Sequence, residues 1–398
     1  MKKILIVPLK IIRNFFLILI LILFGFYLMA PVYEFSGPSK FSGDKIYNPY
    51  QNIDSSQWRR YNFQVQSRAW GGITSGRTNT NNLIDSIYRQ LNFDYVATSD
   101  YQKINRHGSK KSNYIPTYEH GYNIFKTHQV CIDAKKVVWT DLLFFQTLSM
   151  KQWVIDMLKQ NSTLVALAHP TLRNGYEIDE MAYLSNYDLM EVITNMRLSF
   201  DHWDAALSAG NPVWILGDDD AHDVTNSNEV GRRFTMINSP TLNKADIVKS
   251  LKNGIAYGYD FFRRDDEDMK VKYQRIRYLP YLYSAKIIND TFKVSLSDTA
   301  EKISFIGQDG KVLSEITSAQ KAFYTIKKPD TYVRTVITFA DTSSIYLNPI
   351  VRYSGEKLVS KLSAKINARA TNFLRIVYFL IALTGVYLYL RQKQKNKR

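Results

Sequence analysis

The sequence predicts an α/β protein: a barrel-type α/β domain, then a small β-sandwich, with one transmembrane helix at each end. Three observations carry this expectation: two apolar runs near the termini, a repeated helix–strand alternation between about 61 and 259, and short alternating strands after it. The implied divisions are 1–34 (cytoplasmic stub and span), 35–60 (linker), 61–262 (barrel), 263–355 (β-sandwich), 356–372 (linker), 373–390 (second span) and 391–398 (basic tail).

Residues 15–30 read FFLILILILFGFYLMA without a charge. With Ile11, Ile12 and residues 31–33 they approach the roughly 20 residues that cross a bilayer core. No small-x-small cleavage site precedes Pro31, so an uncleaved anchor is favoured over a removed signal peptide. The second run, 373–390, carries only Arg375, near its start, where a long side chain can snorkel. The net charge of +16 over 398 residues suggests nucleic acid at first sight. Much of the excess, however, sits at Lys2, Lys3, Lys10 and Arg13 and in the tail RQKQKNKR, flanks that cytoplasmic topology and anionic head groups select. The expected partners are therefore membrane lipids and not nucleic acid, with both termini cytoplasmic and the main domain extracytoplasmic. Lys357, Lys361, Lys365 and Arg369, just before the second span, weigh against that topology, and protein partners stay open. The single Cys131 excludes an internal disulfide without fixing the compartment.

Between the spans, the strand-like DYVAT at 94–98 follows a helical pattern with Leu83, Ile87 and Leu91 on one face. STLVALA at 162–168 follows the amphipathic stretch 151–160, YDLMEVI at 187–193 follows a helical 177–184, and PVWIL at 212–216 follows 200–209. A last helical stretch, 244–252, is closed by Gly254. Short apolar runs alternating with helices are the signature of βα units on a parallel sheet, and their number suits a barrel. Beyond the charged RRDDED at 263–268, strand patterns at 270–278, 292–296, 302–306 and 332–339 are separated by turns such as QDG at 308–310 and read as a β-sandwich.

The residues able to do chemistry follow the ends of the expected strands, the face on which βα barrels build sites. They are Asp100 in SDY, Glu119 in YEHG, His128 in KTH, His169 in AHP, and Asp220 and His222 in GDDDAHD. Imidazole and carboxylate suit zinc, manganese or iron, and each residue alone also fits a structural histidine or an ordinary turn. No glycine-rich phosphate loop, Walker sequence or nucleophile elbow is present. His107 falls on a basic loop, His120 beside Glu119 is expected away from the site or behind it, and His202 is expected at the surface.

In this order, SD-x, a Glu with a later His, AHP and D-A-H-D resemble the polymerase and histidinol phosphatase (PHP) domain, most nearly its extracytoplasmic CehA/McbA-like branch. The resemblance covers about 61–259, and YVR at 332–334 with YLNP at 346–349 is similar to the end of such proteins. It implies a distorted (β/α)7 barrel, up to three metal ions and phosphoester hydrolysis. It implies further that Glu119, His128 and His169 bind one metal, that Asp220 binds its neighbour, and that His222 belongs to a third, with Asp100, Asp220 and His222 in catalytic positions.

The departures are as specific. The family's opening strand carries two histidines where YNFQVQS at 61–67 has Gln64 and Gln66, its later Asp-His is Asp100-Tyr101, and Gly72 stands where some members have a histidine. An amide oxygen is a weak ligand beside imidazole, so only the Glu119/His128/His169 site is complete by motif. Three readings follow: a hydrolase working with a single divalent ion or a reduced metal site, a PHP-like pseudoenzyme that binds or assembles at the membrane without metal, and a purely structural surface protein.

Overall fold

The computed structural model describes residues 2–395 other than Ser75 and Met196, and of residues 2–10 and 21–23 the backbone only. Lys2, Lys3 and Lys10 of the basic stub, and the last three residues of the basic tail, thus lie outside the described side chains. Helix α1 (Lys2–Met29) leads into β1 (Tyr33–Phe35), β2 (Lys45–Tyr47) and the long β3 (Trp58–Val65). Then follow α2 (Asn81–Gln90), β4 (Tyr95–Thr98), β5 (Thr117–His120) and β6 (Gln129–Ala134). Next come α3 (Leu148–Asn161), β7 (Ser162–Leu167), β8 (Leu189–Thr194), α4 (Phe200–Ser208), β9 (Trp214–Asp218) and β10 (Arg233–Asn238). After α5 (Lys244–Lys252), β11 (Ala256–Asp260) and α6 (Met269–Arg275), the chain is all β: β12 (Leu282–Ile288), β13 (Thr291–Ile306), β14 (Val312–Thr325), β15 (Tyr332–Thr338), β16 (Ser344–Tyr353) and β17 (Ala364–Ile366). Helix α7 (Ala368–Lys395) ends the described chain.

The helices form where caps and apolar faces coincide. The Thr80 hydroxyl accepts from the Leu83 amide at the start of α2, which buries Ile84 and Tyr88. The Thr147 hydroxyl caps α3 in the same way, burying Val154, Ile155 and Leu158. Gly254 closes α5 with φ +67°, and a Cβ there would meet the Trp214 ring at 2.7 Å, so only glycine fits.

Most strands make two sheets, and β1 with β17 makes a small third. The first runs β5-β6-β7-β8-β9, antiparallel at β5–β6 and β6–β7 and parallel at β7–β8 and β8–β9. The second, ten-stranded, runs β12-β13-β15-β16-β11-β10-β3-β4, with β14 on β13 and β2 on β16. Only β3–β4 is parallel within it. Single bridges link the two sheets: Tyr101 with Glu119 beyond β4, and Val65 with Ala221 beyond β9. The parallel βα pairing expected from the sequence is met at β3–β4, β7–β8 and β8–β9, whereas β5–β6, β6–β7 and β10–β11 return as antiparallel neighbours. Likewise, the expected separate β-sandwich continues the α/β region, since β11 pairs with β16 from Tyr257–Leu347 to Asp260–Ser344. Residues 270–278, expected as a strand, include the helix α6, whose start is capped by the Asp268 carboxylate.

The two presumed linkers are built into this body. Tyr50 is fully buried and donates its hydroxyl to the Ala256 carbonyl at 2.7 Å. β1 pairs antiparallel with β17, and the Val32 amide donates to Thr371 Oγ1 at 3.0 Å. The end of α1 and the start of α7 thus leave the folded body side by side. Both are long and apolar enough to cross a membrane, over Ile11–Met29 and Ala368–Lys395.

Candidate metal centre

The chemistry-bearing residues meet where the ends of β3, β4, β5, β7 and β9 converge. Glu119, on β5, is fully buried. His128 precedes β6 and brings Nδ1 to 2.6 Å from Glu119 Oε1; His169 follows β7 and brings Nε2 to 3.3 Å from the same oxygen. One donor atom from each lies within 4.8 Å of the other two. Gly121 makes this approach possible: its φ is +129°, and a Cβ would stand 2.5 Å from the His128 ring.

The other carboxylate oxygen is also engaged. Gln66 Nε2 donates to Glu119 Oε2 at 2.7 Å and to the Ser99 carbonyl at 3.0 Å. Burial pushes the Glu119 carboxyl up, yet the charges and hydrogen bonds of His128 and His169 outweigh it and hold the group below the usual carboxylate range. Burial pulls the His128 imidazole down against the pull of Glu119, whereas for His169 the partners Glu119 and Asp220 outweigh burial and raise it. Tyr101, whose hydroxyl bears on Glu119, is pushed well above the ordinary tyrosine value, chiefly by burial. Its ring meets His128 edge-on at 5.3 Å.

Two of these positions carry backbone strain: His169 has φ +28° and Asp220 has φ +48°. Non-glycine residues are held there only when the surrounding structure over-determines them. Asp220 is buried, and desolvation raises its carboxyl to about 6, with His222 opposing and Glu119 reinforcing the rise. His222 is partly exposed and its Nδ1 lies 2.8 Å from the Asp220 carbonyl.

Asp100 is brought near the cluster but turned elsewhere. Its oxygens accept from the Ser67 amide and hydroxyl, both at 2.8 Å, and from Asn105 at 3.2 Å. It ties down the start of the loop after β3. His120 points away from the centre, to Gln129 at 2.8 Å and the Thr140 carbonyl at 3.0 Å. His107 pairs with Asp85 at 3.0 Å on an exposed loop. His202, expected at the surface, is buried against the Tyr176 carbonyl at 2.9 Å.

Two acids at the centre escaped the sequence reading. Glu191, in the middle of β8, accepts from the His169 amide at 2.8 Å, and Asp218 at the end of β9 accepts from the Phe63 amide at 2.5 Å. Burial pushes both well above the carboxylate range, reinforced for Glu191 by the charges of Asp218 and Asp220 and for Asp218 by those of Asp219 and Asp220. The available signal was a lone acid inside the otherwise apolar LMEVIT of β8. Asp219 is different: it accepts from Tyr88 and from the Gly231, Arg232 and Arg233 amides, a structural set.

The residues fit a metal ion. The donor set of one carboxylate and two imidazoles suits a divalent transition ion. Among the described residues several buried polar atoms at the centre also find no hydrogen-bond partner: His169 Nδ1, Asp220 Oδ1, and both amide atoms of Gln64. Two clefts open beside it. One, of about 900 Å³, is lined by Asp220 and His222 facing Arg197, Arg232, Arg233 and Arg263. The other, of about 600 Å³, is lined by His128, His222, Tyr101, Lys126, Trp70 and Trp139.

No family model and no curated protein matches the chain. Among solved structures, it is similar to a two-domain protein from Bacteroides vulgatus that contains a predicted PHP-like metal-dependent phosphoesterase, at 13% sequence identity and a TM-score of 0.41, over 81% of this chain and 100% of that one.

Proposed function

We propose that this chain is a membrane-anchored, PHP-like metal-dependent phosphoesterase with a reduced metal site. The observation that carries the reading is the buried convergence of Glu119, His128 and His169 within 4.8 Å, which coincides with the one complete ligand set of the family motif. Strands β3 to β9 are read as a distorted seven-stranded barrel, joined where the sheets meet by the Tyr101–Glu119 and Val65–Ala221 bridges. α1 and α7 are read as two spans, with both termini cytoplasmic and the folded body outside.

Glu119, His128 and His169 would hold a divalent ion, which when bound supplies Lewis acidity toward water and a phosphoryl oxygen. Asp220, with its carboxyl at about 6, is placed to take a proton near neutrality. His222 stands at the mouth of the arginine-lined cleft, where guanidinium groups suit a phosphate's oxygens. Asp100 acts at one remove, by fixing the loop through Ser67.

A second reading, a pseudoenzyme that binds at the membrane, is favoured by one specific feature. Gln66 Nε2 already donates to the second Glu119 oxygen, and Gln64 offers only a neutral amide. The two readings part on metal and turnover. The full chain, purified in detergent after growth with zinc and manganese, is assayed for bound metal and for hydrolysis of bis(p-nitrophenyl) phosphate. About one equivalent of metal and His169-dependent hydrolysis are expected. A metal-free protein whose His169→Ala variant is as stable as the parent would sink the hydrolase reading.

A further inference from the structure

A chain of contacts joins the aromatic cleft to the end of α1. Phe24 and Tyr27 lie on α1, and their rings meet those of Phe144 and Phe145 at 6.4 and 5.1 Å. The Phe144 amide donates to the Tyr27 hydroxyl at 2.8 Å. From this junction the apolar surface runs back toward the centre. The Ile124 amide donates to the Leu143 carbonyl, Tyr122 donates to the Trp139 carbonyl at 3.3 Å, and Trp139 meets Trp70 edge-on at 6.2 Å. Its large side chains are open to solvent: Trp139 is 58% exposed and Phe145 57%, with Phe125 and Ile124 close behind.

Depth follows from helix geometry. Phe24 stands five residues before the end of α1, so at 1.5 Å per residue it lies roughly 7 Å inside that end. If α1 spans a bilayer, side chains packed on Phe24 and Tyr27 lie at the boundary of head groups and acyl chains, where aromatic residues are favoured. Cations border the same surface. Lys103 Nζ sits 5.6 Å over the Trp70 ring, and Lys126 Nζ sits 5.5 Å over Tyr101 inside the cleft.

We infer that this face, residues 139–146 with Ile124, Phe125 and Trp70, dips into the bilayer surface and presents the cleft to an anionic phospholipid. The inference rests on the membrane-anchored reading above. It assigns the aromatic cleft to the lipid and leads its head group past Lys126 toward His128 and His222, both of which line the cleft. A buried aqueous substrate would need no such apolar rim, since large exposed apolar patches mark interaction sites.

The test uses the full chain in phospholipid vesicles, with tryptophan fluorescence quenched by lipids brominated near the head-group end of the acyl chain. Part of the quenching is expected to vanish in Trp139→Phe, one of six tryptophans, and in Phe145→Asp, while both variants still float with the vesicles. Brominated phosphatidylglycerol should quench more than brominated phosphatidylcholine at equal mole fraction, and Lys126→Glu should erase that difference. Quenching unchanged in Trp139→Phe overturns the inference, and so does equal quenching by the two lipids. Protection of Trp139 from aqueous acrylamide without lipid quenching overturns it in favour of a protein partner on this face. None of these readings needs metal or turnover. A chain that floats but binds no metal fails the hydrolase reading alone, whereas a chain that does not float fails the anchoring and this inference together.

Discussion

Glu119→Gln separates a metal centre from a structural histidine cluster, because it keeps the shape and removes one charge. In the parent, three donors converge on the carboxylate: Gln66 at 2.7 Å, His128 at 2.6 Å and His169 at 3.3 Å. A glutamine must turn its own donor toward one of them. It thereby loses at least one charge-assisted hydrogen bond and leaves a buried donor unpaired, a change of about 3 kcal/mol against the metal-free fold. The metal-dependent part is independent of that loss. An ion at 100 times its Kd stabilises the native state by about 2.7 kcal/mol, a rise in Tm of roughly 4 °C for a folded body that runs from Tyr33 to Ile366. The assay is thermal unfolding of the detergent-solubilised full chain, with chelator and then with added zinc or manganese, for parent and variant. The parent should show the metal-dependent rise and Glu119→Gln should lose it. If the variant keeps the rise, the ion sits elsewhere and the reasoning about this centre is wrong; if neither shows a rise, the cluster is structural.

Further outcomes follow from other parts of the structure. Gln64→His with Gln66→His should raise the metal content above the parent's, read by elemental analysis, because imidazoles would replace an unpartnered amide and a hydrogen-bonded one; no gain would mean that the scaffold, not the ligands, has lapsed. Asp204 and Arg334 form a buried bidentate pair at 2.7 and 2.6 Å joining α4 to β15, so Asp204→Asn should destabilise by about 3–5 kcal/mol in chemical denaturation, and a loss below ~1 kcal/mol would refute that role. The ammonium of Lys272 is buried and lowered to about 8 by desolvation, against an unfolded value of 10.5. Below pH 8 both states bind that proton and the folded chain carries the full penalty. Between about pH 8 and 10.5 only the unfolded state keeps it, so stability should rise with pH, by up to about 3 kcal/mol. Lys272→Met should remove that rise, seen as the parent-minus-variant difference in unfolding free energy; a flat difference would show that Lys272 keeps its ordinary value. Gly121→Ala should displace the His128 ring and lower metal affinity more than it lowers stability, measured by titration with zinc.

Much of the centre was legible in one dimension because its donors sit at strand ends marked by short motifs. AHP and DAHD stop strands with residues that cannot continue an apolar run, so His169, Asp220 and His222 stood out, and Glu119 and His128 were singled out with them. Glu191 did not stand out, because an acid inside a strand signals chemistry only once the strand is known to be buried on both faces, and Asp218 was hidden among the three successive acids of GDDDAHD. His202 misled for the converse reason: a polar residue at a helix start reads as surface until the packing of Tyr176 covers it.

By itself the sequence determined the composition-driven features: two apolar helices near the ends, the helix–strand alternation, the β-rich C-terminal region and the types of donor available, since periodicity and residue chemistry act locally. Tertiary structure alone decided the rest. Strand partners are chosen by long-range ladders, so antiparallel pairs entered among the expected parallel βα units, and the C-terminal strands joined the α/β region through β11–β16 instead of standing apart as a sandwich. Side-chain direction is set by packing, so Asp100 turned to Ser67 while Gln66 turned to Glu119. The pairing of β1 with β17, distant in sequence, brought both apolar helices to one edge, where Phe144 and Phe145 pack on the first of them.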